Sequence, residues 1–187
     1  MVILKGTGVS EGIAFGRIFI NKPKKSKSEK REIKDANEEI NRYKKAKKAT
    51  LDYTKTLYNQ VLEKLGENEA EIFKTHEMMI NDQDFENSII SIINEEMANA
   101  EYAISKTSEI FSKIFLDMPD PYMKSRAMDV ADISNCMINE LLGKNSGESF
   151  EGLKGNVILA SEDFTPSEIT SADKEKVAGF LCSEGSA

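Results

Sequence analysis

The chain has few of the residues on which several kinds of site and targeting signal depend. Its 187 residues include one histidine, two cysteines, four prolines and no tryptophan. Cys136 and Cys182 stand far apart and form no Cys-x-x-Cys or Cys/His spacing, so neither a disulfide framework nor a zinc site is predicted. No apolar run approaches the roughly 20 residues that a membrane-spanning helix needs, and the first five residues lack the pattern of a signal peptide. A cytoplasmic protein that does not enter a membrane is therefore expected.

Negative charge is what the chain has in excess. It carries 32 Asp and Glu against 25 Lys and Arg, a net charge of -7, and 40% of its residues are hydrophobic. That apolar fraction is enough for the core of one domain or of two small ones. The net charge argues against general nucleic-acid binding, because proteins that bind phosphate backbones carry basic patches. It leaves a basic protein partner open.

The hydrophobic periodicity divides the chain into three parts. Residues 1–21 have the pattern of strands, residues 22–144 that of amphipathic helices, and residues 145–187 return to short apolar runs. A chain that begins and resumes strand structure around a helical block most simply has a helical domain inserted into an α/β domain. The expected fold class is therefore α+β or α/β, with a helical bundle as the insert.

Five helices are predicted within the central part. They are expected near residues 32–65, 67–80, 83–97, 100–118 and 122–142, with Gly66, the Asn81-Asp82 break, Asn99 and Pro119 as boundaries. Short connections between amphipathic helices favour a compact antiparallel bundle. Buried positions are expected to include Ile40, Tyr43, Leu57, Val61 and Leu65 in the first helix and Ile110, Ile114 and Met118 in the fourth.

The outer parts contain four candidate strands and one short helix. Residues 2–4 and 13–20 are joined by a glycine-rich segment, residues 6–12. A hairpin turn is predicted there, because the G-x-G-x-x-x-G spacing departs from the dinucleotide fingerprint and a strand follows it. Residues 157–160 and 177–182 are the later strands, and the run Thr165-Pro166-Ser167-Glu168 predicts a helix that begins at Pro166.

His76 is the one residue that could perform histidine chemistry within this chain. It lies on a predicted helix, with no glycine turn nearby to bring backbone amides to a phosphate. A structural or partner-contacting role is therefore favoured. Phe73, Met78 and Met79 around it fit either an adaptable contact patch or the bundle core. Arg126, Asp129 and Asp132 have the spacing of ion pairs on a solvated helix face.

Several short motifs occur in an order that resembles one family. They are Ser10-Glu11-Gly12-Ile13-Ala14-Phe15-Gly16; Ile72-Phe73 with His76 and Met78; Tyr122 with Arg126-Ala127, Asp129-Val130 and Asp132-Ile133; Val157-Ile158-Leu159-Ala160; and Phe164-Thr165-Pro166-Ser167-Glu168. Together they resemble the N-terminal half of Enzyme I, the phosphoenolpyruvate-protein phosphotransferase of the bacterial sugar phosphotransferase system. The resemblance covers essentially the whole chain.

The resemblance implies a fold, a reaction and partners. In Enzyme I a helical domain that binds the phosphocarrier protein HPr is inserted into a swivelling α/β phosphohistidine domain. Phosphoenolpyruvate and magnesium bind a C-terminal barrel domain, and the phosphoryl group passes to a histidine and then to HPr. That histidine is expected just beyond Ala187, so the α/β domain would be incomplete. The chain alone would be inactive, monomeric and without metal or cofactor, whereas the full-length enzyme would be a homodimer.

The resemblance also implies site residues. The expected HPr contacts are Phe73, His76, Met78, Met79 and Arg126, with Glu71 and Glu77 attracting a partner that has a basic rim. Support for the phosphohistidine is expected from Thr165, Thr170 and Gly185. The family has a threonine where this chain has Ile169, so one supporting contact departs from the pattern. A second hypothesis is a stand-alone helical interaction module without phosphoryl chemistry.

Overall fold

The computed structural model describes residues 5–21, 28–144, 153, 155–173 and 175–183. These residues belong to two compact units. The first comprises Met1–Pro23, Gly152–Asp163 and Asp173–Ala187, and the second comprises Lys24–Glu151 and Phe164–Ala172. The first is called the α/β unit below, and the second the helical unit.

Five helices form most of the helical unit, as predicted. They are α1 (Ala36–Lys64), α2 (Glu67–Ile80), α3 (Gln83–Glu96), α4 (Ala100–Leu116) and α5 (Pro121–Leu141). The ends differ from the predicted ones by a few residues. The first helix begins later because Asp35 caps it, accepting hydrogen bonds from the amides of Asn37 and Glu38. The third ends before Met97, which adopts the left-handed conformation with φ of 45°.

Two apolar clusters hold the helices together. The larger joins all five helices and has Tyr43, Ile89, Ile104 and Met137 fully buried at its centre. The smaller packs α1 against α2 through Leu57, Val61, Ala70 and Phe73. The predicted amphipathic stripes therefore do build the core of this unit.

Three residues that were expected inside are exposed. Leu65 follows the last residue of α1, so the helical period no longer directs its side chain, which is 60% exposed. Ile110 and Ile114 are 44% and 50% exposed. The buried positions of α4 all lie in its first half, between Ala100 and Thr107, and beyond them the two isoleucines face solvent.

The α/β unit contains a small parallel sheet. Its strands are β1 (Arg17–Ile20), β2 (Val157–Ser161) and β3 (Val177–Cys182), in the order β1-β2-β3. Ile18 lies opposite Ile158, which lies opposite Gly179. The later two strands were predicted, but β1 is shorter than expected. Residues 2–4, the other arm of the predicted hairpin, lie outside the described residues.

A short helix, α6 (Pro166–Ser171), begins where its sequence predicts. Thr165 accepts a hydrogen bond from the amide of Glu168, whose carboxylate accepts one from the amide of Thr165, which completes a capping box. The sequence had placed residues 145–187 wholly in the α/β domain. The segment Phe164–Ala172 instead packs within the helical unit, where the Ser167 amide donates to Asp132 of α5.

Candidate functional site

An apolar groove of about 400 Å³ opens on the helical unit. Residues from α2, the start of α3, α4 and α5 line it. Its apolar walls are formed by Met78, Met79, Phe85, Phe111, Phe115 and Met123. Such a concave surface of methionines and aromatic rings is typical of a site for an apolar ligand or a partner's side chains.

The groove has one rigid wall and one adaptable wall. Phe85 and Phe111 pack edge to face, with ring centroids 5.2 Å apart and an interplanar angle of 81°, the arrangement that aromatic pairs favour. Met78, in contrast, is 74% exposed. Because a methionine side chain has three rotatable bonds and a polarisable sulfur, it can adjust to a partner that the rings position.

Arg126 is the positively charged side chain that lines the groove. Its guanidinium donates to Asp129 Oδ2 at 2.6 Å and to the Tyr122 hydroxyl. It also lies over the Tyr122 ring, 4.3 Å from the centroid, which adds a cation–π contact. These contacts hold the guanidinium in one place before any ligand arrives.

Asp129 joins Arg126 to His76 beneath the groove. Its Oδ1 lies 3.4 Å from His76 Nε2, and its side chain is 8% exposed. Burial by itself would raise the pKa of Asp129, but the hydrogen bonds with His76 and Arg126 outweigh it and lower that pKa. A buried carboxylate therefore stays charged between two partners. The solvated face predicted for Arg126, Asp129 and Asp132 is wrong, because both aspartates are buried.

His76 and Phe73 do not reach the surface. Their side chains are almost wholly buried, and the two rings pack edge to face at 5.7 Å. In this arrangement neither can touch a partner directly, so the expectation of direct contact is corrected for both. Phosphoryl transfer needs in-line approach to a free ring nitrogen. The imidazole of His76, with Nε2 facing a buried aspartate, offers no such approach.

Asp132 links α5 to α6. It is 3% exposed, and its Oδ2 accepts a hydrogen bond from the Ser167 amide at 3.2 Å. Burial raises the pKa of Asp132 above its usual range. One turn further along α5, burial also raises the pKa of the Cys136 thiol, so that cysteine behaves as an inert core residue.

Of the expected carboxylates on α2, Glu71 is exposed and Glu77 is partly exposed, and each is paired with a lysine. Glu71 lies 2.7 Å from Lys74, and Glu77 lies 3.7 Å from Lys55. Neither lines the groove.

Several of the residues that line the groove were not predicted as site residues from the sequence. They are Asp82, Asp84, Phe85, Phe111, Phe115 and Met123. Phe111 and Phe115 are four residues apart and therefore lie on one face of their helix. That spacing is the sequence signal that could have indicated these two residues.

The residues expected to support a phosphohistidine are placed as follows. Thr165 caps α6 through its hydroxyl, and Thr170 lies half-buried on the same helix. Ile169, at the position where the resemblance predicts a threonine, is 49% exposed. Gly185 lies outside the described residues. The supporting role of these residues stays a prediction.

The described part of the chain lacks two features. It contains no group of three or more histidine, cysteine, aspartate or glutamate side chains placed to hold a metal ion. No helix in it combines the length and the hydropathy needed to cross a membrane.

Comparisons with known proteins agree on one family. Residues 5–126 match the model of the family described as PEP-utilising enzyme, N-terminal. The phosphoenolpyruvate-protein phosphotransferase of Mycoplasma capricolum subsp. capricolum is 34% identical over 97% of this chain and 32% of its own length. That of Bacillus subtilis is 31% identical, with the same coverage of both. The chain thus spans about a third of the length of these relatives.

A solved structure shows the same fold. The NMR solution structure of Enzyme I (nEIt) matches with a TM-score of 0.72 and 31% identity, over 95% of this chain and 72% of that one. This chain's mostly helical structure with a small parallel sheet thus matches that of the neighbour, which confirms the predicted fold class. The chain therefore belongs to the N-terminal family of PEP-utilising enzymes, the family of the N-terminal part of these phosphotransferases.

Proposed function

We propose that the helical unit docks a small phosphocarrier protein of the HPr kind through the groove between α2, α4 and α5. The observation that carries the proposal is that a fixed guanidinium, that of Arg126, lies among the apolar walls of the groove. The apolar walls provide contact area for a partner. The guanidinium can orient that partner without losing further side-chain entropy on binding, because its contacts already hold it in place.

Charge at the rim supports the same partner. Asp82 and Asp84 line the groove and are exposed. Glu77, on the last turn of α2, is partly exposed as well. A carrier with a basic rim would be drawn to this side of the helical unit, and such complementarity mainly raises the association rate. The net charge of -7 acts in the same direction.

We place the chain in a phosphotransferase that moves a phosphoryl group from phosphoenolpyruvate to the carrier. In this proposal residues 22–144 form the carrier-binding domain. Residues 1–21 and 145–187 belong to the phosphohistidine domain, apart from the segment of α6 that packs with the helices. Binding of phosphoenolpyruvate, with its magnesium ion, is assigned to the part of the relatives' length that this chain does not span.

Docking is tested by titrating unlabelled chain into ¹⁵N-labelled HPr and following its amide resonances. We expect shifts around the carrier's own phosphorylatable histidine. Met78→Ala should weaken binding about fivefold to tenfold, the effect of truncating a contact side chain at an interface centre. The matched control is Leu65→Ala, since Leu65 is also an exposed apolar residue but does not line the groove. Absence of shifts at high concentration, or equal effects of the two variants, would contradict the proposal.

The role of His76 is tested separately. When the chain is mixed with ³²P-phosphorylated HPr, we expect no label on it, because its one histidine is buried against Asp129. Label recovered on a peptide that contains His76 would show that the ring becomes accessible and would overturn this part of the proposal.

A further inference from the structure

His76 is a buried polar side chain that takes no direct part in docking at the groove. It lies on α2, and its side chain is 2% exposed. Phe73 packs edge to face against its ring. Burying a polar side chain costs free energy unless it forms a hydrogen bond, and an apolar side chain of similar size would fill the same space without that cost. A role for His76 must therefore come from its hydrogen bond.

The hydrogen-bond partner of His76 is Asp129 on α5. The Nε2 atom of His76 lies 3.4 Å from Oδ1 of Asp129. An ionised carboxylate only accepts hydrogen bonds, so the proton of this contact belongs to Nε2. A neutral imidazole carries its proton on either of its two ring nitrogens. The contact with Asp129 therefore requires the form of His76 that is protonated at Nε2.

The other oxygen of Asp129 holds Arg126. Oδ2 accepts a hydrogen bond of 2.6 Å from the Arg126 guanidinium, so one carboxylate joins the two side chains through its two oxygens. Rotation of an aspartate carboxylate about its last side-chain bond is soft. A donor on Oδ1 fixes that rotation, and with it the plane in which Oδ2 meets the guanidinium. His76 thus restrains Arg126 without touching it.

Arg126 is restrained on its outer side as well. The Tyr122 ring lies 4.3 Å from the guanidinium, and the Tyr122 hydroxyl accepts a hydrogen bond from it. Tyr122 is 63% exposed, whereas the side chain of Asp129 is 8% exposed. A docking partner can displace the exposed tyrosine but does not reach the buried carboxylate. The inner contact, through Asp129 and His76, is therefore the one that persists in a complex.

We propose that His76 is a positioning residue for docking: by donating to Asp129, it fixes the orientation in which the Arg126 guanidinium meets the carrier. The proposal rests on the docking function proposed above. A guanidinium held in advance loses less entropy on binding than a free one. For one long side chain this difference corresponds to about twofold to tenfold in affinity.

One measurement on the unchanged chain tests the proposal without a carrier. The sequence has one histidine, so the imidazole nitrogens of ¹⁵N-labelled chain give a single pair of signals. We expect long-range ¹H–¹⁵N correlation spectra to show a proton on Nε2 of His76. A bare Nε2 would overturn the proposal, because it could not donate to Asp129.

Variants separate the hydrogen bond of His76 from its shape. His76→Met keeps a large apolar side chain without the donor, and His76→Gln restores a donor. The control is Ile80→Val, which changes a buried residue one turn further along α2 that does not line the groove. We expect His76→Met to weaken binding to ¹⁵N-labelled HPr about twofold to tenfold, and His76→Gln and Ile80→Val to bind like the unchanged chain. Far-UV circular dichroism checks that each variant keeps its helices.

The order of the Arg126 side chain is a second readout that needs no carrier. The chain has four arginines, and Arg126→Lys assigns the Nε–H signal of Arg126 among them. We expect a high heteronuclear NOE for this signal in the unchanged chain and in His76→Gln, and a lower one in His76→Met. An equal NOE in all three forms would overturn the proposal, because His76 would then only fill space.

The carrier titration distinguishes this proposal from the proposed function. If the unchanged chain does not bind HPr, the docking function fails. If it binds and His76→Met binds equally well, docking stands and the positioning role of His76 is overturned. Equal weakening by His76→Met and His76→Gln would also overturn that role, because the loss would come from shape. If His76→Met loses its helices, the proton on Nε2 in the unchanged chain decides.

Discussion

Glu101 offers a prediction whose size follows from the structure. Its side chain is 2% exposed and accepts hydrogen bonds from Arg42, from Arg31 at 3.2 Å and from Asn99 at 2.8 Å. Burial alone would raise its pKa, but the hydrogen bonds from Arg42 and Asn99 outweigh burial and lower the pKa from 4.5 to about 2. The charged carboxylate of Glu101 thus links α4 to α1 through its ion pair with Arg42, and this ion pair is lost when the carboxylate is protonated.

The lowered pKa predicts how stability depends on pH. A carboxylate whose pKa falls on folding stabilises the protein above its unfolded pKa of 4.5, and that contribution is lost as the pH falls towards 2. The difference between the two pKa values corresponds to about 3 kcal/mol at pH 7. At pH 3 about 1.4 kcal/mol of it remains, since one pKa unit still separates that pH from the folded value. Glu101→Gln should therefore cost about 3 kcal/mol at pH 7 and about half of that at pH 3.

Urea unfolding followed by far-UV circular dichroism measures this cost, because the six helices among the described residues all lie in the helical unit. The free energy of unfolding of the variant is compared with that of the unchanged chain at each pH, so that other titrating groups cancel. Glu63→Gln is the control: Glu63 is exposed on α1, and the change should stay within about 0.5 kcal/mol. An equal loss for Glu101→Gln at both pH values would refute the reasoning, because it would arise from shape and not from charge.

Three further changes test the core, the capping box and the sheet. Phe73→Ala should lower the free energy of unfolding by about 3 to 5 kcal/mol, measured by urea unfolding, because it leaves a cavity in a buried cluster. Thr165→Ala removes the cap of α6 and should cost about 1 kcal/mol; faster hydrogen exchange of the Glu168 amide, which loses its acceptor, would report it. Gly16→Ala would place a Cβ 2.7 Å from the Asn156 carbonyl oxygen, so β1 should separate from β2, seen as faster exchange of the β1 amides. Unchanged exchange in the last two cases, or a loss below 1 kcal/mol in the first, would contradict the described packing.

Much of the local structure could be predicted because its causes are local. Gly66 separates α1 from α2, Asp82 caps α3 through the Phe85 amide, and Thr165 with Glu168 forms the capping box of α6. Each cap depends on a side chain within three residues of the backbone group that it satisfies. The order of the short motifs along the chain likewise predicts the family without knowledge of the fold.

Parts of the candidate site could not be predicted in this way. The i,i+3 spacing of Arg126 and Asp129 indicates an ion pair whether the pair is exposed or buried. Only the packing of α2 against α5 buries that pair and brings His76 to it. That packing also buries His76, whereas the packing of α2 against α1 buries Phe73, although both residues were expected to contact a partner.

The sequence by itself determined where most helices begin and end, which residues are apolar, and to which family the chain belongs, since these depend on neighbours along the chain. The tertiary structure decided which apolar faces meet. It assembled the groove from α2, the start of α3, α4 and α5, and it left Ile110 and Ile114 exposed. It also paired β1 with β2, which the helical block separates in sequence. Contacts between residues so distant in sequence depend on the packing of complete elements, and no local pattern records that packing.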